Sequence, residues 1–224
     1  PTWGKLWLAI ADLYDWEGVQ PVTPEVWILP EWLAGHPRRW YCHTRLIYLG
    51  FSYLYGVRFS APRTALTDAI RTELYDTAYE RIDWRAARGR LHESDLFVPP
   101  GPPLRAAYRA LGVYERVAPR ALRRRAMAEV IARIEYESRS TNYACISPVN
   151  GMLNTLALHH ARRPDARKAL QGVHYWMWSD DGGVRFAGAS SNTWDTAFAA
   201  QTLAGAGVGH PARSDTARLT RMLD

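Results

Sequence analysis

The chain has 224 residues, 47% hydrophobic and 22% charged. That suffices for one substantial core or two small ones sharing an interface, and it excludes a disordered tail. The net charge of +6 is carried almost wholly by arginine, since only Lys5 and Lys168 are lysine, and the densest run, Arg120 with Arg123, Arg124 and Arg125, reads as a solvated helix face, not a nucleic-acid groove.

Apolar spacing is helical along nearly the whole chain. Leu6 to Tyr14 opens it with bulky groups around most of a helix circumference, and Leu46 to Tyr55 repeats that pattern, so both are expected to be buried on all sides, to line a cavity or to meet lipid. Between them, Val19 to Pro30 holds enough proline to predict an extended connector, as does Phe97 to Pro103 further on. Buried stripes are predicted at Leu66, Ile70 and Leu74, and at Leu104, Tyr108 and Leu111. Over Arg120 to Glu137 the stripe is Leu122, Ala126, Val130 and Ile134, and a last one is Val149, Met152, Leu153 and Leu156. Gly182 to Phe186, after the Ser179-Asp180-Asp181 turn, is the one short strand predicted. Without strand–helix alternation the pattern predicts an all-α fold of stacked helical hairpins, a barrel or a solenoid.

Several chemistries find no support in the residues. There is no Gly-x-Ser-x-Gly elbow for a nucleophilic serine, and Gly182-Gly183 and the later glycines match neither phosphate-binding pattern. His159-His160 lacks a carboxylate at metal-ligand spacing and reads as helix surface. Cys42 and Cys145 belong to no close-spaced pair, which argues against a disulfide scaffold and points to a reducing compartment. No stretch reaches the roughly 18 to 20 apolar residues of a membrane span, and no signal peptide opens the chain. It begins at Pro1 without Met, so an upstream piece is expected.

What stands out is aromatic density: 10 Trp and 12 Tyr beside 5 Phe exceed what core volume requires. The densest cluster, Trp40-Tyr41-Cys42-His43-Thr44-Arg45, runs directly into the apolar segment 46–55. Ring faces suit carbocation chemistry, because a lone-pair oxygen would trap the cation whereas a desolvated ring stabilises it by up to about 2 kcal/mol, more than tenfold in rate. Composition by itself leaves open a sugar platform on a helical toroid and simple aromatic packing.

The sequence resembles a central portion of the 2,3-oxidosqualene cyclases, the family of lanosterol and cycloartenol synthases. The resemblance runs through Trp16-Glu17-Gly18, Pro24-Glu25-Val26-Trp27, His36-Pro37, Cys42-His43-Thr44-Arg45, Ser52-Tyr53-Leu54-Tyr55-Gly56, Glu73-Leu74-Tyr75, Ile82-Asp83-Trp84, Ile146-Ser147-Pro148-Val149-Asn150 and Trp194-Asp195-Thr196-Ala197-Phe198. It covers roughly residues 1 to 206. It implies an α/α-barrel enzyme, monotopic on the cytoplasmic side of a membrane, that protonates the epoxide of 2,3-oxidosqualene and folds the cation into a sterol-type product. No metal, cofactor or nucleic acid is implied. By the same resemblance, residues 1–188 belong to one barrel and 189–224 begin the second, acid-bearing one. His43 matches a histidine that assists the final deprotonation, Trp194 an indole that faces the cation, and Trp3 a tryptophan bordering the first ring closure. Thr44 and Tyr48 fall at the channel constriction, with threonine replacing cysteine at 44, and Pro148 and Val149 match cavity wall. His43 favours sterol-forming members, and squalene-hopene cyclases, which lack the cluster around it, are the weaker match.

One departure bears on activity. Epoxide protonation needs a carboxylic acid made strong by hydrogen bonds, and the family's Asp-Cys-Thr-Ala-Glu motif is absent from this sequence; Asp195 follows Trp194 and matches a segment upstream of that acid. The polypeptide is therefore expected to be an inactive fragment that needs the missing N- and C-terminal parts, with exposed surfaces prone to self-association. Two further readings remain. A toroid glycosidase or lyase would gather Asp15, Glu25 or Glu31 in an aromatic groove, and a non-catalytic module would meet lipid through Leu46 to Tyr55.

Overall fold

The computed structural model describes residues 2–33, 35–96, 98–188 and 192–205. They fall into two compact units, Pro1–Phe186 and Ala187–Asp224. The first contains α1 (Thr2–Ile10), α2 (Cys42–Val57), α3 (Ala65–Leu74), α4 (Trp84–Ala87), α5 (Pro102–Val117), α6 (Arg120–Ser140), α7 (Pro148–His160), α8 (Ala166–His174) and a hairpin of β1 (Met177–Asp180) and β2 (Gly183–Phe186). In the second unit the described helix is α9 (Asn192–Gly205). Helix dominates, as the periodicity requires, and the fold is the all-α type of a helical toroid.

At the centre of the first unit lies α2. Its residues Leu49 to Tyr55 are all buried, which settles the all-round apolar pattern as core and removes this segment as a lipid contact. Around it pack α1, α6, α7 and the short 3-10 turn Pro24–Ile28. That turn departs from the extended connector expected for 19–30: proline at the first position fits a helical start, where its missing N–H has no partner to lose. For the same reason α5 begins at Pro102, inside the second proline-rich stretch.

Two stripes are corrected, and two others hold only in part: Leu122 of α6 and Val149 and Met152 of α7 are exposed, while Leu153 is buried. In α3 the buried residues are Thr67 and Arg71, while Leu66 and Leu74 are exposed. Arg71 wins the interior because it pairs with the Asp12 carboxylate at 2.8 Å, donates to the Asp12 carbonyl and lies 3.6 Å over the Tyr79 ring. In α5 no residue is buried. In α6 Ala126, Val130 and Ile134 are buried as expected, but Arg123, read as solvated, bridges Glu25 at 2.5 Å and Glu115 at 2.7 Å. The strand expected at 182–186 has a partner: Asp180 pairs with Gly183, so Ser179 and Asp180 belong to β1 and not to the turn.

The Ile82-Asp83-Trp84 motif acquires a structural role. Asp83 caps α4 by accepting from the Ala86 N–H, and the Trp84 ring meets Tyr14, Tyr75 and Tyr79 at 4.6, 5.5 and 4.8 Å.

Candidate active site

Helix α2 starts at the end of the aromatic cluster and carries its first turn into the candidate site. His43 is half-buried, stacks on the Tyr41 ring at 5.2 Å and 20°, and its Nδ1 lies 3.4 Å from the Cys42 thiol. Thr44 is exposed. Two turns on, seven residues after Thr44 and therefore on the same helix face, the buried Phe51 ring supports Trp3 of α1, stacked at 5.0 Å and 20°, with Trp7 edge-on at 5.4 Å. Trp3 keeps 37% of its surface exposed beyond this stack.

Helix α7 packs on α2 through Gly50, where an added Cβ would lie 2.5 Å from the Leu153 Cβ. Further along, the Tyr53 hydroxyl reaches His160 Nδ1 at 3.3 Å. Both contacts advance together in sequence, so α2 and α7 run parallel, which sets Pro148 and Val149 level with Arg45 and Leu46, about half a turn of α2 past His43 and Thr44. Pro148 is the first residue of α7, entered by a capping box between Ser147 and Asn150. Val149 and Met152 are 41% and 39% exposed, one turn apart on the same side of the helix. Trp3, His43, Thr44, Pro148 and Val149 thus belong to one assembly of three helices.

Tyr48 turns elsewhere. Its hydroxyl donates to the Thr23 carbonyl at 3.1 Å and its ring meets Trp40 edge-on at 4.9 Å. Burial pushes its phenol well above the usual range, partly opposed by the Thr23 bond. Trp194 lies in the second unit on α9, 64% exposed and stacked on Phe198 at 5.8 Å.

The carboxylates of the glycosidase reading do not converge. Asp15 caps the turn Trp16–Gly18, Glu25 is buried against Arg123, and Glu31 pairs with Arg38 at 2.6 Å. Each is spent on structure.

One buried group escaped the sequence reading. Glu137, one turn past Ile134 on the α6 stripe, accepts from Asn150 Nδ2 at 2.6 Å and from Asn154 Nδ2 at 2.9 Å, and both asparagines are fully buried. Burial raises its carboxyl above the usual range while the two amides oppose that shift. The neighbouring Cys145 thiol is pushed up to about 11 by burial, with the Glu137 charge adding to the effect. The signal was present: a carboxylate at a core position of one helix, and two asparagines four apart in an otherwise apolar run.

The family model of the squalene-hopene cyclase N-terminal domain matches residues 1–182. The chain belongs to the squalene and oxidosqualene cyclase family. Among curated members, it is 40% identical over 213 residues to protostadienol synthase A of Neosartorya fischeri, covering 93% of the chain and 29% of that protein. Lanosterol synthase of Homo sapiens is 35% identical over 214 residues, 94% of the chain and 29% of the relative. Cycloartenol synthase of Dictyostelium discoideum is 34% identical over 211 residues, 93% and 30% respectively. The chain thus spans about three-tenths of the length of the cyclases it matches.

Proposed function

We propose that these residues form one wall of a cyclase that converts (3S)-2,3-oxidosqualene to a sterol-type polycyclic triterpene through an acid-initiated carbocation cascade. The observation that carries this reading is the assembly on α2: Trp3 stacked on Phe51, His43 stacked on Tyr41, and the exposed apolar side chains Val149 and Met152 on α7, the helix packed against α2. A surface of ring faces and aliphatic groups suits a cation that must not meet a nucleophile. In this reading Trp3 borders the first ring closure, His43 takes part in the final proton loss, Thr44 narrows the entry, Pro148 and Val149 shape the wall, and Trp194 presents its indole to the cation, while Tyr48 acts from behind, bonded to Thr23 and packed on Trp40. The protonating acid comes from outside these 224 residues.

Attachment to a membrane surface is part of the proposal, and α5 is the element that supports it. The described residues contain no helix long and apolar enough to cross a bilayer. Val98, Val113 and Val117 are exposed, and a groove of about 730 Å³ along α5 is lined by Leu96, Leu104 and Tyr108 together with Arg105, Arg109 and Arg116. Apolar groups flanked by arginines match the interfacial pattern of aliphatic insertion beside headgroup charge.

The test is expression of the full reading frame containing this sequence, with (3S)-2,3-oxidosqualene as substrate and product analysis by mass spectrometry. A tetracyclic alcohol is expected from the full frame and none from the 224 residues by themselves. No cyclised product from a folded full-length protein would refute the reading, and product from the 224 residues would refute the placing of the acid elsewhere.

A further inference from the structure

We infer that Glu137 is a positioning residue for the cyclisation: its carboxylate, clamped between Asn150 and Asn154, sets where Pro148 and Val149 stand in the cavity wall. The inference rests on the reading of those two residues as wall.

The chemistry of the clamp fixes its direction. Asn150 Oδ1 accepts from the backbone N–H of Ile146 at 3.0 Å and of Ser147 at 3.2 Å. Its orientation is therefore locked, and Nδ2 must point away from α7 toward an acceptor. Glu137 supplies that acceptor from α6 and takes an N–H of Asn154 on its other oxygen. A carboxylate offers an acceptor on each of its two oxygens and no donor, so it can meet one amide on either side. Asn154 spends its donor here even though its own Oδ1 is left without a hydrogen-bond partner among the described residues, so the cluster is organised around the carboxylate.

The segment that Glu137 holds has no slack elsewhere. The loop from α6 to α7 places Asn142, Tyr143 and Cys145 in the left-handed region, with φ of 49°, 65° and 59°. It is pinned by the Cys145 N–H to Thr141 Oγ1 at 3.0 Å and by Trp176 Nε1 to the Ala144 carbonyl at 2.6 Å. From the Ile146 and Ser147 amides the chain enters Pro148 and Val149 directly, so the Asn150 side chain that Glu137 holds also holds the entry to the wall.

Glu137→Gln tests this, because a glutamine amide sets a donor against a donor on one asparagine. Turning Asn150 to relieve that would break its bonds to Ile146 and Ser147, and turning Asn154 would carry its Nδ2 to the buried place where Oδ1 has no partner among the described residues. In the full reading frame with oxidosqualene, the ratio of side products to main product is expected to rise about fivefold, the change that ~1 kcal/mol between two competing barriers produces, while folded yield and Tm fall. The double variant Glu137→Gln with Asn150→Asp restores every polarity: the glutamine amide introduced on α6 would donate to the carboxylate introduced on α7 and accept from Asn154, and that carboxylate would still accept from Ile146 and Ser147. It is expected to return the product ratio to within about twofold of the parent. A folded Glu137→Gln enzyme with the parent's product ratio, or a folded double variant that keeps the altered ratio, overturns the proposal. If neither variant accumulates as folded protein, the clamp serves folding only and the proposal is equally overturned. Absence of any cyclised product from the parent sinks the underlying reading instead, so the two failures are distinguishable.

Discussion

Gly50→Ala probes the contact on which the candidate site is built. The new methyl would meet the Leu153 Cβ at 2.5 Å, whereas two carbons rest at about 3.5–4.0 Å, so α2 and α7 must part by roughly 1 Å or more. The obstacle is a Cβ, fixed to the α7 backbone, and no rotamer change relieves it. Overpacking of this kind costs about 1–3 kcal/mol. Alanine returns roughly 0.5–1 kcal/mol through helix propensity, leaving a net loss near 1–2 kcal/mol, or a fall in Tm of about 2–8 °C for a protein of this size. Gly4 in α1 supplies the internal control, because a Cβ there meets nothing within 4 Å. Gly4→Ala is expected to leave stability unchanged or raise it by up to about 1 kcal/mol. Both are read by urea and thermal unfolding of the same preparation. If Gly50→Ala proves as stable as the parent, the close α2–α7 approach, and with it the placing of Pro148 level with Arg45, is wrong.

Arg123→Met leaves the buried Glu25 without its cation and Glu115 with only the 3.5 Å contact to Arg58, so a loss of about 3–5 kcal/mol is expected by denaturant titration, and Arg123→Met with Glu25→Gln recovers part of it. Alkylation with iodoacetamide at pH 8 is expected to label Cys42 readily and Cys145 only on unfolding: a thiol pushed up to about 11 and 8% exposed holds on the order of 10⁻³ of its population as thiolate. In the whole cyclase, His43→Ala is expected to change the deprotonation outcome more than substrate affinity, measured as product ratio against KM, and an unchanged ratio would count against its role. Trp194→Leu removes one ring face, and a drop in kcat of about tenfold or premature termination is expected; an unaltered rate and product spectrum would refute the assignment.

Periodicity sufficed to read the helical class, because an apolar stripe recurring every three to four residues has one structural meaning. It also sufficed for Ala126, Val130 and Ile134 of α6 and for the buried run of α2, whose all-round bulk leaves no face for solvent. Motif content placed the chain in its family. What periodicity could not rank was competition for the interior between aliphatic and paired polar groups. Arg71 displaced Leu66 and Leu74 because Asp12 and Tyr79 were waiting for it, and Arg123 entered because two carboxylates came from elsewhere in the chain. Glu137 is the same case: buried next to apolar Ile134, it is stable only because α7 brings Asn150 and Asn154 to both its oxygens. Local sequence sets which faces are apolar, whereas the partner that makes a buried charge tolerable lies far along the chain and is supplied only when the helices meet.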